Sequence, residues 1–364
     1  MAKFFNLQVS DITRETADSV SVAFNIPQDA VDSFKFTQGQ YLTFKVNIDG
    51  EELRRSYSIC TSPLEKEIRI AVKKVIDGRV STYFNEKLKI GETIQAMPPM
   101  GNFYTALNSS NKKHYVLFAG GSGITPMLSI LKTTLDVEPK SRITLFYGNQ
   151  DEVSIIFKKQ LDKLEEKNKE RLKIYHILNS PKDEQNKIDP LFTGIMVPEK
   201  NQALIGRFIN LNEDNEYLIC GPSGMMSSIV EALNFLKVDK SRVHLEYFAS
   251  PVDTSEVVEK NEINLPGNTT FESRVTIICD GEETVVTLGA DDVILDAALD
   301  ANVDAPYACR GGSCCTCRAK LIEGKVVMKV NYALLDNEVA QGYILTCQSM
   351  PVTPTVIVNY DKGN

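Results

Sequence analysis

The first third of the chain alternates hydrophobic and polar residues with a period of two. Residues 20–26 (VSVAFNI) and 41–46 (YLTFKV) follow this alternation, which predicts half-buried β-strands. Asp49-Gly50 and Asp77-Gly78 are dipeptides typical of hairpin turns. Short strands at this spacing predict a small antiparallel β-barrel over residues 1–105.

The pattern changes after residue 112. A continuous apolar run at 114–119 predicts a buried strand, and further strands are predicted at 143–147, 172–178 and 217–220. Helical patterns at 127–135 and 154–171 separate them. This alternation predicts an α/β domain with a parallel sheet over residues 112–248. The glycine-rich turn at 120–126 would bring a phosphate or nicotinamide close to backbone amides, although a glycine run by itself is a weak signal.

A third domain is predicted at the C-terminal end. Residues 249–270 are polar and rich in turn formers, which indicates a linker. Strands at 275–279 and 284–288 flank Asp280-Gly281, and a helix at 293–301 follows, so the domain is expected to cover 271–364. Four acids recur at every fourth residue from 292 to 304, which favours either a solvated helix face or a surface that steers an acceptor.

Clustered cysteines carry the strongest chemical signal. Three stand at C-x4-C-x2-C spacing and a fourth follows later, which is the plant-type [2Fe-2S] pattern. The predicted metal ligands are Cys309, Cys314, Cys317 and Cys347. Gly311 and Gly312 would turn amide N–H groups toward the sulfurs. Clustered spacing disfavours a disulfide framework, and paired C-x2-C knuckles would be expected for zinc. Cys315 is off the spacing and is expected to point away from the iron.

Composition narrows the possible functions. A length of 364 residues allows two or three domains, and the net charge of −8 argues against nucleic-acid binding. No apolar run reaches the length of a membrane span, and no export signal precedes the first strand, so the cytoplasm is the expected location. The 3 histidines are scattered, and none stands at metal-ligand or triad spacing.

The three motifs in this order resemble the ferredoxin–NADP reductase superfamily. Within it the chain most resembles reductase components of multicomponent oxygenases, and among these the phenylacetyl-CoA epoxidase type. The resemblance covers essentially the whole chain. It implies a multidomain protein with an antiparallel β-barrel flavin domain, an α/β parallel-sheet nucleotide domain and an α+β (β-grasp) plant-type ferredoxin domain.

The resemblance implies which residues bind the flavin. They are Arg55, Tyr57, Ser58, Lys73, Gly78, Val80, Ser81, Thr82 and Phe248. Arg55 would pair with the flavin phosphate groups, Tyr57 would stack on the isoalloxazine and Ser58 would hydrogen-bond near N5. Since the two segments resemble a pyrophosphate cradle, FAD is expected rather than FMN. Whether Tyr247 or Phe248 shields the flavin stays open.

The resemblance also implies a site for NADH or NADPH. Its residues are Gly120, Gly121, Gly123, Thr125, Cys220, Gly221 and Pro222. Cys220 would lie beside the reacting nicotinamide carbon, and Glu246 would approach the flavin; together with Tyr57 and Ser58 they form the predicted catalytic set. The stretch 148–152 contains two acids and no arginine, which favours NADH unless those acids merely begin a solvated helix.

The implied function is electron transfer from NAD(P)H through FAD and a [2Fe-2S] cluster to an oxygenase component. Aromatic catabolism of the phenylacetate type is the expected setting, and a Rieske ring-hydroxylating oxygenase or another monooxygenase or desaturase is the alternative acceptor. A simple electron carrier or redox sensor is disfavoured by the flavin and nucleotide motifs. A flavin reductase or oxidase would have no use for a covalently attached ferredoxin domain.

Overall fold

A computed structural model describes residues 3–187, 189–248, 272–289 and 291–363. The predicted linker at 249–270 lies outside these residues. Each of the three predicted domains contains its own sheet. Among the described residues, no helix combines the length and apolar content needed to cross a bilayer.

The first domain is an antiparallel sheet that curls into a barrel. Its strand order is β4-β3-β6-β1-β2-β5. An isolated antiparallel bridge between Ile59 and Ile70 connects the two edges of the sheet. Alternate apolar side chains, such as Leu42 and Phe44, fill the barrel. The elements are β1 (Phe5–Thr16), β2 (Ser19–Asn25), β3 (Tyr41–Ile48), β4 (Glu51–Ser58), β5 (Ile68–Lys73), α1 (Arg79–Thr82) and β6 (Thr93–Ala96).

Only two of the three Asp-Gly pairs form hairpin turns. Asp49-Gly50 has φ values of 55° and 84° and connects β3 to β4, as predicted. Asp280-Gly281 has a similar conformation between the strands at 273–279 and 282–288. The prediction for Asp77-Gly78 is wrong, because Gly78 has φ −77° and precedes α1. Ser81 Oγ donates to the Gly78 carbonyl at 3.0 Å and accepts from the Val75 N–H, which closes the turn into a helix.

The second domain is a parallel sheet with helices packed on it. Its strand order is β11-β10-β7-β8-β9. The predicted helix at 154–171 is shorter in the structure. Phe157 has a left-handed φ of 62°, so the helix begins only at Lys158. The elements are β7 (His114–Gly120), α2 (Ile124–Val137), β8 (Arg142–Asn149), α3 (Lys158–Lys167), β9 (Leu172–Leu178), α4 (Pro198–Phe208), β10 (Asn215–Cys220), α5 (Ser223–Phe235) and β11 (Val243–Glu246).

The third domain is a mixed sheet of order β13-β12-β18-β14-β16 with a two-stranded ribbon, β15-β17. Strands β12 and β18 pair in parallel, whereas β14 pairs antiparallel with both neighbours. Its core includes Cys315, Cys317 and Cys347. The elements are β12 (Ser273–Cys279), β13 (Glu282–Leu288), α6 (Ile294–Asp300), β14 (Arg318–Glu323), β15 (Val326–Met328), α7 (Asp336–Ala340), β16 (Tyr343–Leu345), β17 (Ser349–Pro351) and β18 (Thr355–Asn359).

Candidate functional site

The four predicted cluster cysteines lie together. Cys309, Cys314 and Cys317 come from the loop before β14, and Cys347 comes from the turn between β16 and β17. The Cys309 sulfur is within hydrogen-bonding reach of the thiols of Cys314 and Cys347, and Cys317 of Cys347. The Gly311 N–H donates to Cys309 Sγ at 3.4 Å, as the glycine loop predicted.

The chemistry of these thiols fits a two-iron cluster. The four thiols share hydrogen bonds, which lower the pKa of Cys309 and of Cys317 and raise the pKa of Cys314 and of Cys347. Iron binds the thiolate form, so loading the cluster would release the protons that these thiols share. Among the residues the structure describes, no group of His, Cys, Asp or Glu is arranged around a single metal ion. Since a [2Fe-2S] cluster distributes its four thiolates over two irons, one shared centre is not required.

Cys315 faces away from the other loop thiols. Its Sγ donates to the carbonyl of Ala333 at 3.2 Å, and the side chain is buried in the core of the third domain. Burial raises the pKa of this thiol well above its usual value, so it stays protonated. The geometry agrees with a spacer between Cys314 and Thr316.

The acids around α6 do not form one exposed stripe. The helix covers only Ile294–Asp300, so Asp292 and Asp304 lie outside it. Asp296 pairs with Arg310, and Asp304 pairs across the domain boundary with Arg54 at 3.2 Å. Asp292 accepts the N–H of Gly289. The predicted one-face stripe is therefore wrong, because the helix is shorter than the acidic repeat.

The first flavin motif lies at the end of β4. Tyr57 is half-buried, and its ring packs edge-to-face on Phe84 with centroids 5.2 Å apart. Ser58 is buried, whereas Arg55 is exposed and donates to the Arg54 carbonyl at 2.7 Å. An exposed guanidinium and a half-buried ring on one strand end leave both groups accessible to a bound molecule.

The second flavin segment starts α1. Thr82 N–H donates to the Gly78 carbonyl at 2.9 Å, so the preceding amides of Val80 and Ser81 stand in the first turn, where helical amides lack an intrahelical acceptor. A Cβ at Gly78 would lie 2.5 Å from Ser81 Oγ, so a larger residue would have to displace the Ser81 hydroxyl that closes this turn. Lys73, the last residue of β5, forms an ion pair with Asp18 between β1 and β2, with Nζ and Oδ2 3.6 Å apart.

The two predicted nucleotide loops pack directly against each other. A Cβ on Gly123 would lie 2.0 Å from the Cys220 carbonyl oxygen, and one on Gly221 would lie 2.9 Å from the Gly120 nitrogen. A Cβ on Gly120 would lie 2.6 Å from Pro222 Cδ. These contacts explain the glycines as close backbone approaches at the carboxyl ends of β7 and β10.

Hydroxyl groups stabilise the first nucleotide loop from within. Thr125 Oγ1 donates to the Ser122 carbonyl at 3.0 Å. Tyr147, which is fully buried on β8, donates to the Gly121 carbonyl at 3.0 Å. Gly121 adopts φ 51°. No sequence motif marks Tyr147, but its place on the strand next to β7 is a signal that could have indicated it.

The carboxyl ends of β10 and β11 bring Cys220 and Glu246 together, since these residues are paired across the two strands. Burial, reinforced by the Glu246 charge, raises the pKa of Cys220 well above its usual value. Burial also raises the pKa of Glu246 to about 8. Tyr247 packs against Tyr332 of the third domain with centroids 5.1 Å apart, whereas Phe248 is 44% exposed.

The two acidic residues that follow β8, Asp151 and Glu152, both have partners within the protein. Asp151 caps the turn Glu152–Ser154 and lies 2.7 Å from Lys182 Nζ. Glu152 accepts the backbone N–H groups of Lys182 and Asp183. The acids therefore begin a helical turn, as the alternative interpretation held, so the expectation of NADH depends on the absence of arginine from 148–152 and not on these acids.

Side chains of β3 and β4 that the sequence analysis missed connect the first domain to the third. Arg54 is 5% exposed and donates to Ala305 O at 3.3 Å and to Asp304 at 3.2 Å. Its guanidinium also lies over the rings of Phe4 and Tyr307. Tyr41 and Thr43 on β3 contact the cysteine loop itself.

Family models match all three domains. An oxidoreductase FAD-binding domain matches residues 6–104, an oxidoreductase NAD-binding domain matches 117–231, and a 2Fe-2S iron-sulfur cluster binding domain matches 277–352. These matches define a ferredoxin-reductase-type oxidoreductase whose cofactors are FAD, NAD(P)H and a [2Fe-2S] cluster.

Curated relatives are similar over the full length. The chain is 41% identical to one subunit of the 1,2-phenylacetyl-CoA epoxidase of Escherichia coli, over 100% of this chain and 99% of the relative. It is 32% identical to the 3-ketosteroid-9-alpha-monooxygenase ferredoxin reductase component of Rhodococcus rhodochrous, over 97% and 96%. Phthalate dioxygenase reductase shares the fold, with TM-score 0.57 at 23% identity over 98% of both chains. The chain therefore belongs to the reductase-component family of the ferredoxin–NADP reductase superfamily.

Proposed function

We propose that this chain carries electrons from NADH, through FAD and a [2Fe-2S] cluster, to an oxygenase component of the phenylacetyl-CoA epoxidase type. The observation that carries the proposal is the contact between the flavin motif and the cysteine loop. Ser56, inside that motif, bonds Thr43, and Thr43 bonds Thr316 between two of the loop cysteines. Electrons entering at the nucleotide loops would therefore leave through the third domain.

The residues have separate tasks in this proposal. Cys309, Cys314, Cys317 and Cys347 hold the two irons, and the Gly311 N–H supports the Cys309 sulfur. Bound FAD supplies the ability to accept a hydride and to release single electrons. Arg55 and the first turn of α1 bind the flavin phosphates, and Tyr57 and Ser58 orient the ring.

The nicotinamide is expected to bind against the first nucleotide loop, which contains Gly120, Gly121, Gly123 and Thr125. Gly221 and Pro222 of the second loop would complete this site. Cys220 remains a neutral thiol because burial raises its pKa. Glu246, with its pKa raised to about 8, keeps its proton at neutral pH and places no charge beside the hydride donor. Phe248, which follows β11, is expected to contact the flavin at the same end of the sheet.

The acceptor is assigned from the relatives. The phenylacetyl-CoA epoxidase subunit is 41% identical to this chain and the ketosteroid monooxygenase component 32%, which favours an acceptor of the epoxidase type over one of the ketosteroid monooxygenase type. We place the protein in the cytoplasm, because eight unpaired cysteines suit a reducing compartment.

The choice of NADH rests on the stretch after β8, where the adenosine ribose is bound in dinucleotide folds. Residues 148–152 contain no arginine, and the charge of Lys182 is balanced by Asp151. A free cation there would favour the 2′-phosphate of NADPH.

Steady-state reduction of cytochrome c with each nucleotide tests this proposal. We expect the larger kcat/KM with NADH. In Asp151→Asn, which releases Lys182 from its ion pair, the ratio of kcat/KM for NADPH to kcat/KM for NADH should rise. Asp162→Asn, which releases Lys158 on α3, is the matched control and should leave the ratio unchanged. A larger kcat/KM for NADPH in the unmodified protein would refute the choice of NADH, and a protein that reduces no one-electron acceptor would refute the function.

A further inference from the structure

The face of β3 that points out of the barrel carries two hydroxyl groups. Tyr41 and Thr43 are two residues apart, so they share one face of the strand, whereas Leu42 and Phe44 point into the barrel core. Tyr41 and Thr43 are 4% and 1% exposed, although they lie outside the barrel core. The third domain covers them.

Thr43 joins the flavin motif to the cysteine loop. Its Oγ1 lies 2.9 Å from Ser56 Oγ on β4 and 3.2 Å from Thr316 Oγ1 in the loop. Thr316 stands between Cys315 and Cys317 and is 1% exposed. The three hydroxyls form a continuous hydrogen-bonded chain across the domain boundary, in which Thr43 and Thr316 are buried and Ser56 is half-buried.

Tyr41 contacts the same loop at Cys315, the residue before Thr316. Its hydroxyl oxygen accepts the N–H of Cys315 at 2.9 Å. Its ring packs with Ala308 and the two cysteines Cys309 and Cys314. Gly101 of the first domain also lies against the ring, since an added Cβ there would lie 2.9 Å from Tyr41 Cε1. The ring is therefore clamped between the first domain and the loop.

These contacts leave little freedom in how the loop sits on the barrel. A buried hydroxyl or amide that loses its partner is unfavourable, so displacement of the loop would break both bonds at once. Electron transfer is steep in distance, and small errors of placement are costly for reactions between held groups. Tyr41 holds the N–H of Cys315 within the loop that carries three of the four predicted ligands, so releasing this N–H would disturb the placement of those ligands.

We propose that Tyr41 and Thr43 are positioning residues for electron transfer from the flavin site to the cluster, and this inference rests on the proposed function. In the step that they would serve, bound reduced FAD would supply one electron and one ferric iron held by the loop cysteines would become ferrous, with no bond between heavy atoms formed or broken. Tyr41 sets the orientation of the Cys315 amide, and Thr43 sets the register of the loop against the flavin motif.

The test uses the full chain with its cofactors in anaerobic stopped flow. Tyr41→Phe and Thr43→Val remove one hydroxyl each, and Thr43→Ser restores it. We expect the bleaching of the flavin by NADH to stay within about twofold of the unmodified protein, and the later reduction of the cluster to slow by about tenfold in Tyr41→Phe and Thr43→Val. Thr43→Ser should recover the faster rate.

A second readout does not depend on turnover. The electron paramagnetic resonance spectrum of the dithionite-reduced cluster should shift in Tyr41→Phe, because the Cys315 amide loses its acceptor. Hydrogen exchange at peptides covering 309–317 should rise in the same variant. Should Tyr41→Phe fail to fold or lose its cluster, the pair Thr43→Val and Thr43→Ser decides the question.

Thr133→Val is the matched control. Thr133 is also a buried threonine that bonds a serine across a domain boundary, with its Oγ1 2.9 Å from Ser62 Oγ, but it lies on the nucleotide-domain side. The cluster step should be unaffected in this variant.

Unchanged cluster reduction and an unchanged spectrum in Tyr41→Phe and Thr43→Val would overturn the inference, as would an equal slowing in Thr133→Val. Failure of the unmodified protein to reduce its cluster with NADH would instead overturn the proposed function.

Discussion

The two ends of the electron path are held together in different ways. At the nucleotide end, backbone meets backbone within one domain, and a single Cβ on Gly123 would come within 2.0 Å of the Cys220 carbonyl. At the cluster end, side chains of the first domain reach across to the third: Tyr41 to Cys315, Thr43 to Thr316 and Arg54 to Asp304. The first arrangement tolerates almost no added atom, whereas the second depends on polar groups finding partners.

This difference predicts where each kind of substitution does harm. Close backbone contact makes the nucleotide loops sensitive to size and insensitive to charge. The cluster end should be sensitive to the loss of a hydroxyl or a guanidinium, because its bonds are buried.

The largest effect is expected at the cluster ligands. Replacing Cys309, Cys314, Cys317 or Cys347 by Ser removes a thiolate that iron requires, so visible cluster absorbance should be lost or the cluster released on gel filtration. Cys315→Ser is the control and should keep its spectrum, since the Cys315 thiol bonds Ala333 O. Loss of the cluster in Cys315→Ser with retention in Cys314→Ser would contradict the assignment.

Gly123→Ala should come next. Its Cβ would strike the Cys220 carbonyl, so the two loops must separate, and kcat/KM for NADH should fall by roughly two orders of magnitude. The control is Gly206→Ala in α4, where an added Cβ meets nothing within 4 Å. The free energy of unfolding of this variant should be unchanged or slightly higher. Normal kinetics in Gly123→Ala would show that the loops can move apart freely.

A smaller effect is expected at the domain boundary. Arg54→Met leaves Asp304 and the Ala305 carbonyl without their donor and should lower the free energy of unfolding by roughly 1–3 kcal/mol. Urea unfolding of Arg54→Met, Asp304→Asn and the double variant measures the coupling between the two residues. The double variant should lose less than the sum of the single losses; strict additivity would mean that the pair contributes nothing to docking.

The last effect depends on pH and concerns Glu246. Its pKa is raised by burial to about 8, against an ordinary value near ~4.3. As pH rises between these values, the unfolded chain releases this proton while the folded protein keeps it, so the residue progressively destabilises the fold; above pH 8 the penalty is constant.

Glu246→Gln should therefore raise Tm relative to the unmodified protein by an amount that grows from pH 5 to pH 8 and then levels off. The control is Glu231→Gln at an exposed site on α5. A Tm difference that does not change with pH would place the Glu246 carboxyl in solvent.

Local patterns in the sequence were sufficient for the elements and for most motifs. Strand β9 runs from Leu172 to Leu178, as its apolar pattern predicted, and the spacing of the loop cysteines anticipated a thiol cluster joined by Cys347. Alternation and spacing report on structure that forms within a few residues, where strand period and loop length decide which side chains can meet.

The type of a turn and the ends of the helices were harder to predict from the sequence. Asp77-Gly78 has the same letters as Asp49-Gly50, but Ser81 closes it into a helix start. The left-handed conformation of Phe157 shortened α3, and α6 ended before the acidic repeat did. In each case a competing local hydrogen bond or a single dihedral angle overrode the periodic signal.

The sequence by itself determined three domains, their order and the chemistry each one carries, because strand alternation, glycine turns and cysteine spacing are properties of neighbouring residues. Only the tertiary structure decided how the cluster loop meets the flavin motif. Tyr41 and Thr43 are separated from Cys315 and Thr316 by more than 270 positions, with hydrogen bonds spanning 274 and 273 residues. Sequence periodicity cannot predict such a pair. The two residues meet because the surfaces of two folded domains are in contact, where each buried polar atom requires a hydrogen-bond partner.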